Sequence, residues 1–226
     1  MSRIARVVIP GVPHHVMRQS NRGEKAFRRK ADWQRYLELL AQYAPMHGLA
    51  IQAYCLMADH VHLVAVPKTA ASLAGALKPV NLRYSQELNR RLGVSGLLWQ
   101  GRFSSCPLDD EHLWAAIRFV ERNPVRAGLV QRARDYEWSS AAAHCGLRED
   151  PLLAELKPPA WLTSWARWLR GREGEEMVRR LRLRTRTGRP AGSESFVKRL
   201  ERRTGRRLHV LPIGRPPKKR RRAGSG

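Results

Sequence analysis

The chain has 226 residues, of which 42% are hydrophobic, so it can bury a core and is not a disordered polymer as a whole. Three scattered cysteines, Cys55, Cys106 and Cys145, exclude a disulfide framework and form no C-x-x-C pair, which fits a reducing cytosol. No apolar run approaches membrane-spanning length, the N-terminal residues carry no apolar leader, and a net charge of +24 points to a polyanionic partner, most simply nucleic acid.

In chain order, Arg6-Val-Val-Ile9 predicts a short strand. Gly11 and Pro13 mark a turn, and His14–Arg18 continues extended. Asp32 to His47 carries Trp33, Tyr36, Leu37, Leu40 and Tyr43 at helical spacing, with Gly48 as its stop. Leu49–Leu56 and His60–Val66 read as two strands joined by a tight turn at residues 57–59. Ser72 opens a helix towards Leu92, closed by Gly93, that Pro79 could kink or divide. Gly96–Phe103 is strand or ordered loop. Glu111–Arg122 is helical and stops at Asn123-Pro124, and Tyr136–Ser140 opens a short helix. Trp161, Trp165 and Trp168 fall on one helical face, where core packing outweighs base stacking. Glu175–Arg186 is a basic helix. The order strand, helix, two strands, helix predicts an α+β fold with an antiparallel sheet.

Charge is concentrated at one end. Residues 179–226 hold 18 Lys and Arg against two acids, Glu194 and Glu201. Gly188-Arg-Pro190 and Gly214-Arg-Pro216 each resemble half of an AT-hook. Thr187 and Ile213 stand where the full core would want arginine, so these are groove or backbone contacts without assigned sequence preference. Lys218–Arg222 is an unbroken basic run and is expected to be disordered.

The chemistry lies in Leu56-Met-Ala-Asp-His-Val-His-Leu63. Residues i and i+2 of a strand share a face, so His60 and His62 aim together while Val61 and Leu63 turn away. Two converging neutral imidazoles make half a metal site, although a pair of core or interface histidines would look the same. A zinc-dependent hydrolase is disfavoured because no third Cys or His stands at a zinc spacing. The following helix carries Asn81-Leu-Arg-Tyr-Ser-Gln-Glu-Leu-Asn-Arg-Arg91. Tyr84 there is either a packing residue or a nucleophile for a phosphodiester, given a metal and cationic neighbours.

His60-Val-His62 resembles the H-U-H signature (U hydrophobic) of single-tyrosine HUH transposases. Leu98-Trp-Gln-Gly-Arg-Phe103, Arg118-Phe-Val-Glu-Arg-Asn-Pro-Val-Arg-Ala-Gly128, Tyr136-Glu-Trp-Ser-Ser140 and Gly188-Arg-Pro-Ala-Gly-Ser-Glu-Ser-Phe196 narrow the likeness. They resemble REP-associated tyrosine transposases, bacterial relatives linked to repetitive extragenic palindromes. The resemblance implies a ferredoxin-like antiparallel sheet with helices on one face, a helical extension and a basic tail. It implies a divalent metal, Mg or Mn, held by His60, His62 and a polar residue of the tyrosine helix, with Asn89 preferred over Gln86. It also implies attack by Tyr84 on single-stranded DNA through a 5′-phosphotyrosine link. Ala58-Asp59 departs from the usual Pro-Asn before the histidines.

The expected organisation is a catalytic domain over 1–130, a helical extension over 131–186 and a DNA-binding tail over 187–226. Expected DNA contacts are Arg83, Arg90, Arg91, Arg102, Arg189, Arg215, Lys218 and Lys219. The expected protein is a cytoplasmic, nucleoid-associated bacterial endonuclease and strand transferase on hairpin or palindromic repeat DNA, monomeric or weakly dimeric. The rival is a non-catalytic nucleic-acid-binding protein that keeps the fold.

Overall fold

The computed structural model describes residues 4–209. Its first half runs β1 (His14–Gln19), α1 (Lys30–Met46), β2 (Leu49–Leu56), β3 (His60–Pro67), α2 (Ser72–Leu92) and β4 (Ser104–Pro107). The four strands form one antiparallel sheet in the order β2-β3-β1-β4. This β-α-β-β-α-β order with β1 and β3 central is the ferredoxin-like arrangement. The α+β expectation holds.

Alternation along β3 builds two layers. Val61, Leu63 and Ala65 join one core with Tyr36, Leu39 and Leu40 of α1 and Leu73, Leu77, Val80, Tyr84 and Leu88 of α2. Val64 joins a second core, with Cys55 and Cys106, under α3 (Asp110–Glu121) and α7 (Glu175–Thr187). Helices therefore cover both faces of the sheet. α1 and α2 form one layer, and the segments that follow β4 supply the other.

α2 is a single helix through Pro79, because buried contacts on both sides outweigh the one lost backbone bond. Gly93 ends it at φ +64°, the left-handed conformation that favours glycine. Between α3 and α7 lie α4 (Asn123–Arg126), α5 (Ala141–His144) and α6 (Trp165–Arg170). Trp165 and Trp168 pack with Trp114 as expected of a core stripe, while Trp161 precedes α6 and is 60% exposed.

Three local expectations are corrected. Arg6–Ile9 is not a strand; Val7 and Ile9 lie buried against Phe196, Val197 and Leu200 of α8 (Glu194–Thr204). β4, too short and polar for its pattern to show, pairs with β1. Residues 187–209 are part of the folded body, since α8 packs on the N-terminal segment and Ala191 bridges to Leu108. The basic run at 218–222 lies outside the described residues.

His14 begins β1 fully buried. Its Nδ1–H donates to the Val12 carbonyl, and its Nε2 accepts from the Ile9 amide. Both bonds need the neutral ring, and burial pulls its pKa from 6.5 down to about 4. A histidine depressed on folding contributes stability above its unfolded pKa and loses it as pH falls. Between pH 6.5 and about 4 the protein should lose up to about 3 kcal/mol through His14. Urea midpoints of the wild type and His14→Gln across that window check this; parallel pH profiles would exclude the assignment.

Candidate metal and nucleic-acid cleft

On the α3 side of the sheet the odd residues of β1 and the histidines of β3 meet. Register puts Met17 opposite His62 and Gln19 opposite His60, with His15 diagonal to His62. His15, Met17, Gln19 and His62 floor a cleft with a volume of about 840 Å³. Phe119 of α3, Asn123 of α4, Arg182 and Arg186 of α7, and Arg102 wall it. His60 stands beside His62 behind Asn123, with ring centroids 5.1 Å apart and planes 84° apart.

His60 is held through both ring nitrogens and His62 through Nδ1. Asn123 Nδ2 donates to His60 Nε2 at 2.9 Å, so His60 Nδ1–H donates to Asp59 Oδ1 at 2.7 Å. A carboxylate behind a histidine is the usual support of a metal ligand. Asp59, read from sequence as a charge near the metal or a turn cap, takes that supporting position. His62 Nδ1 lies 2.9 Å from His15 Nε2, and His15 Nδ1 lies 2.7 Å from Thr185 Oγ1. His15 and His62 stack at 5.0 Å, and the edges of both face Phe119.

Burial, with Arg126 nearby, lowers the His15 pKa to about 3. Burial first, then His15, His60, Arg126 and Arg182, holds His62 well below 6.5. Both rings are neutral at physiological pH, the form that binds metal. His62 Nε2 could thus hold a divalent cation, joined by His60 Nε2 where Asn123 Nδ2 gives way to the metal. Among the described residues no set of three His, Cys, Asp or Glu could hold one, so further ligands must be amides, water or phosphate oxygens. Gln19, Gln100 and Asn123 are the side-chain amides that line the cleft.

Tyr84 is elsewhere. It falls in phase with Leu73, Leu77, Val80 and Leu88 on the buried stripe of α2, against the opposite face of the sheet. It is 2% exposed, packs on Phe27, Tyr36 and Trp99, and donates its hydroxyl to the Ala26 carbonyl at 2.7 Å. Burial, reinforced by Asp32 and Tyr36, pushes its pKa far above the ordinary phenol value. This corrects its expected position beside the histidines: strand parity turns His60 and His62 away from the helix that follows them. Asn89 is corrected with it, since its Nδ2 donates to the Gly96 carbonyl on the α2 side. Tyr84→Phe should leave nucleic-acid binding within twofold of wild type. It should cost about 1–2 kcal/mol, by leaving the Ala26 carbonyl without its donor. Denaturation and hairpin titration of the same preparation test this; a selective loss of binding would return Tyr84 to the site.

Of the expected DNA contacts, Arg102 lies at the cleft. Arg83 and Arg90 are exposed on α2, Arg83 over the Tyr43 ring. Arg91 pairs with buried Asp32 at 2.6 Å. Arg189 is 8% exposed and caps the Leu208 and His209 carbonyls, so it is corrected to a structural role. Arg215, Lys218 and Lys219 lie outside the described residues. His15, Asn123, Phe119, Arg182, Thr185 and Arg186 were not singled out by sequence. The His14-His15 pair and the Asn123-Pro124 block were visible, but only the packing of α3 and α7 brings them to the histidines.

No curated protein matches the chain. Several solved structures are similar, among them two transposases. One is a REP-associated tyrosine transposase bound to a REP hairpin, at 16% identity and a TM-score of 0.55, covering 71% of this chain and 96% of that one. The other is a putative transposase from Deinococcus radiodurans R1, at 19% identity and a TM-score of 0.36, covering 53% and 96%. The first shares the fold. Residues 11–123, which span β1 to the start of α4 and contain both cleft histidines, match the IS200-like transposase family, and this chain belongs to it.

Proposed function

We propose that the chain binds hairpin or single-stranded DNA along the histidine cleft, and that no tyrosine of the chain attacks the DNA there. Phe119 carries this reading. It is the aromatic side chain beside His62 and His15, and it has no hydroxyl. The chain has five tyrosines, Tyr36, Tyr43, Tyr54, Tyr84 and Tyr136. None of them lines the cleft. Tyr54 and Tyr136 are spent on Asp150 and the Leu56 carbonyl. DNA as the ligand is supported by the family, by the arginines on the cleft wall and by the net charge. Monomeric or weakly dimeric action in the bacterial cytoplasm fits this reading; among the described residues no helix is long and apolar enough to cross a membrane.

The paired imidazoles favour a second reading, metal-dependent strand cleavage. Mg²⁺ or Mn²⁺, when bound, would polarise a phosphate oxygen. His60 and His62 would hold it, Asp59 and His15 would orient them, and Arg102, Arg182 and Arg186 would meet phosphate charge. One assay separates the two: a labelled single-stranded hairpin with Mn²⁺ or EDTA, resolved on native and denaturing protein gels. The expected result is a retarded complex with intact DNA and no label on denatured protein. Cut DNA without a protein adduct would favour the second reading, and an adduct lost in Tyr84→Phe would overturn the first.

A further inference from the structure

α7 lies outside the family-matched residues, yet it reaches the histidines through Thr185. Thr185 is 2% exposed, and its hydroxyl donates to the Leu181 carbonyl one helical turn back at 2.8 Å. A threonine hydroxyl has one proton, so towards His15 the oxygen is an acceptor. His15 must then carry its proton on Nδ1, 2.7 Å away, and its Nε2 is bare. A bare His15 Nε2 at 2.9 Å requires the proton of His62 on Nδ1. His62 Nε2 is left with its lone pair. Among the described residues no hydrogen bond reaches that nitrogen, and it is not one of their buried unpartnered atoms, so it opens on the cleft.

We propose that Thr185 is a positioning residue that sets the tautomer of His62 through His15, so that His62 presents an unprotonated Nε2 to a divalent cation. This rests on the reading of the cleft as able to hold a metal. The opposite proton order is the one real competitor. If the Thr185 hydroxyl turned to donate to His15, both rings would reverse and His62 would show an N–H to the cleft, useless as a ligand. Thr185→Val removes the acceptor, and the buried His15 Nδ1–H then has no partner. The relay should reverse in that variant.

The test uses the full chain with ¹⁵N-histidine labelling, and two-bond nitrogen–proton spectra report which ring nitrogen carries the proton. In the wild type, His15 and His62 should both be Nδ1–H tautomers. Thr185→Val should shift His62 to Nε2–H, and Thr185→Ser should restore the wild-type pattern. Mn²⁺ affinity, read from the free-ion EPR signal, should fall roughly 10- to 100-fold in Thr185→Val and stay within about threefold in Thr185→Ser. A wild-type His62 with its proton on Nε2 overturns the proposal without any variant having to fold. So does a Thr185→Val protein that keeps wild-type tautomers and Mn²⁺ affinity. If the wild type binds no Mn²⁺ while the tautomers are as stated, the metal reading fails and the relay stands.

Discussion

Glu121→Ala should destabilise the protein by about 3–5 kcal/mol, a large part of the 5–15 kcal/mol that holds a domain of ordinary stability. Glu121 ends α3 with no exposure at all. Its carboxylate accepts from Ser140 Oγ at 2.6 Å, from Trp165 Nε1 at 2.7 Å and from His144 Nδ1. These donors come from two segments between α4 and α7, Ser140 and His144 at α5 and Trp165 in α6, around a small buried cluster of Ala133, Ala141 and Leu169. Truncation would leave the part-buried donors of His144 and Trp165 without this acceptor and Ser140 Oγ with only the Tyr54 carbonyl, together with a cavity. Glu121→Gln keeps one oxygen and should lose less than the alanine variant. Urea unfolding measures both, and an unchanged midpoint for Glu121→Ala would remove the network from the stability of this region.

Strand parity and helix phase were legible in the sequence for most of the first half. The bounds of β2, β3 and α2 follow from apolar period, Gly48, Gly93 and the turn before His60. The convergence of His60 and His62 was legible for the same reason. The place of Tyr84 was legible too, since Leu73, Leu77, Val80 and Leu88 put it on the buried stripe. Basic neighbours suggested a site where the phase indicated a core. The wall of the cleft was not legible. Nothing local ties Thr185 or Arg182 to β1, and Asn123 reaches His60 only because α3 crosses the sheet. Long-range pairings of polar residues leave no periodic trace.

Removing residues 210–226 should flatten the salt dependence of hairpin binding by up to about 5 in the slope of log affinity against log salt. That segment holds Arg215, Lys218, Lys219, Arg220, Arg221 and Arg222 and no acid. Each phosphate contact contributes a slope of about 0.9. The cut belongs after His209: a cut after residue 178 would strip most of α7 and all of α8, and with them Leu181, Thr185 and Phe196. Affinity titrations from low to high salt on one hairpin give both slopes. Equal slopes would mean that none of the six cations reaches a phosphate.

The contact between Thr185 and His15 joins residues 170 positions apart. During synthesis, β1 emerges first, but both of its neighbours in the sheet, β3 and β4, come later. A nascent chain that has cleared the ribosome to residue 174 owns the sheet, α3 and both cleft histidines, yet nothing fixes the proton of His15. α7 and α8 are the last described helices to appear, and α8 closes on Val7 and Ile9 near the start. Such distant pairing makes folding slow and leaves the second face of the sheet covered by α3 without α7 until late. The ordered cleft is therefore a property of the released polypeptide, and an unfinished translation product carries the histidines without their alignment.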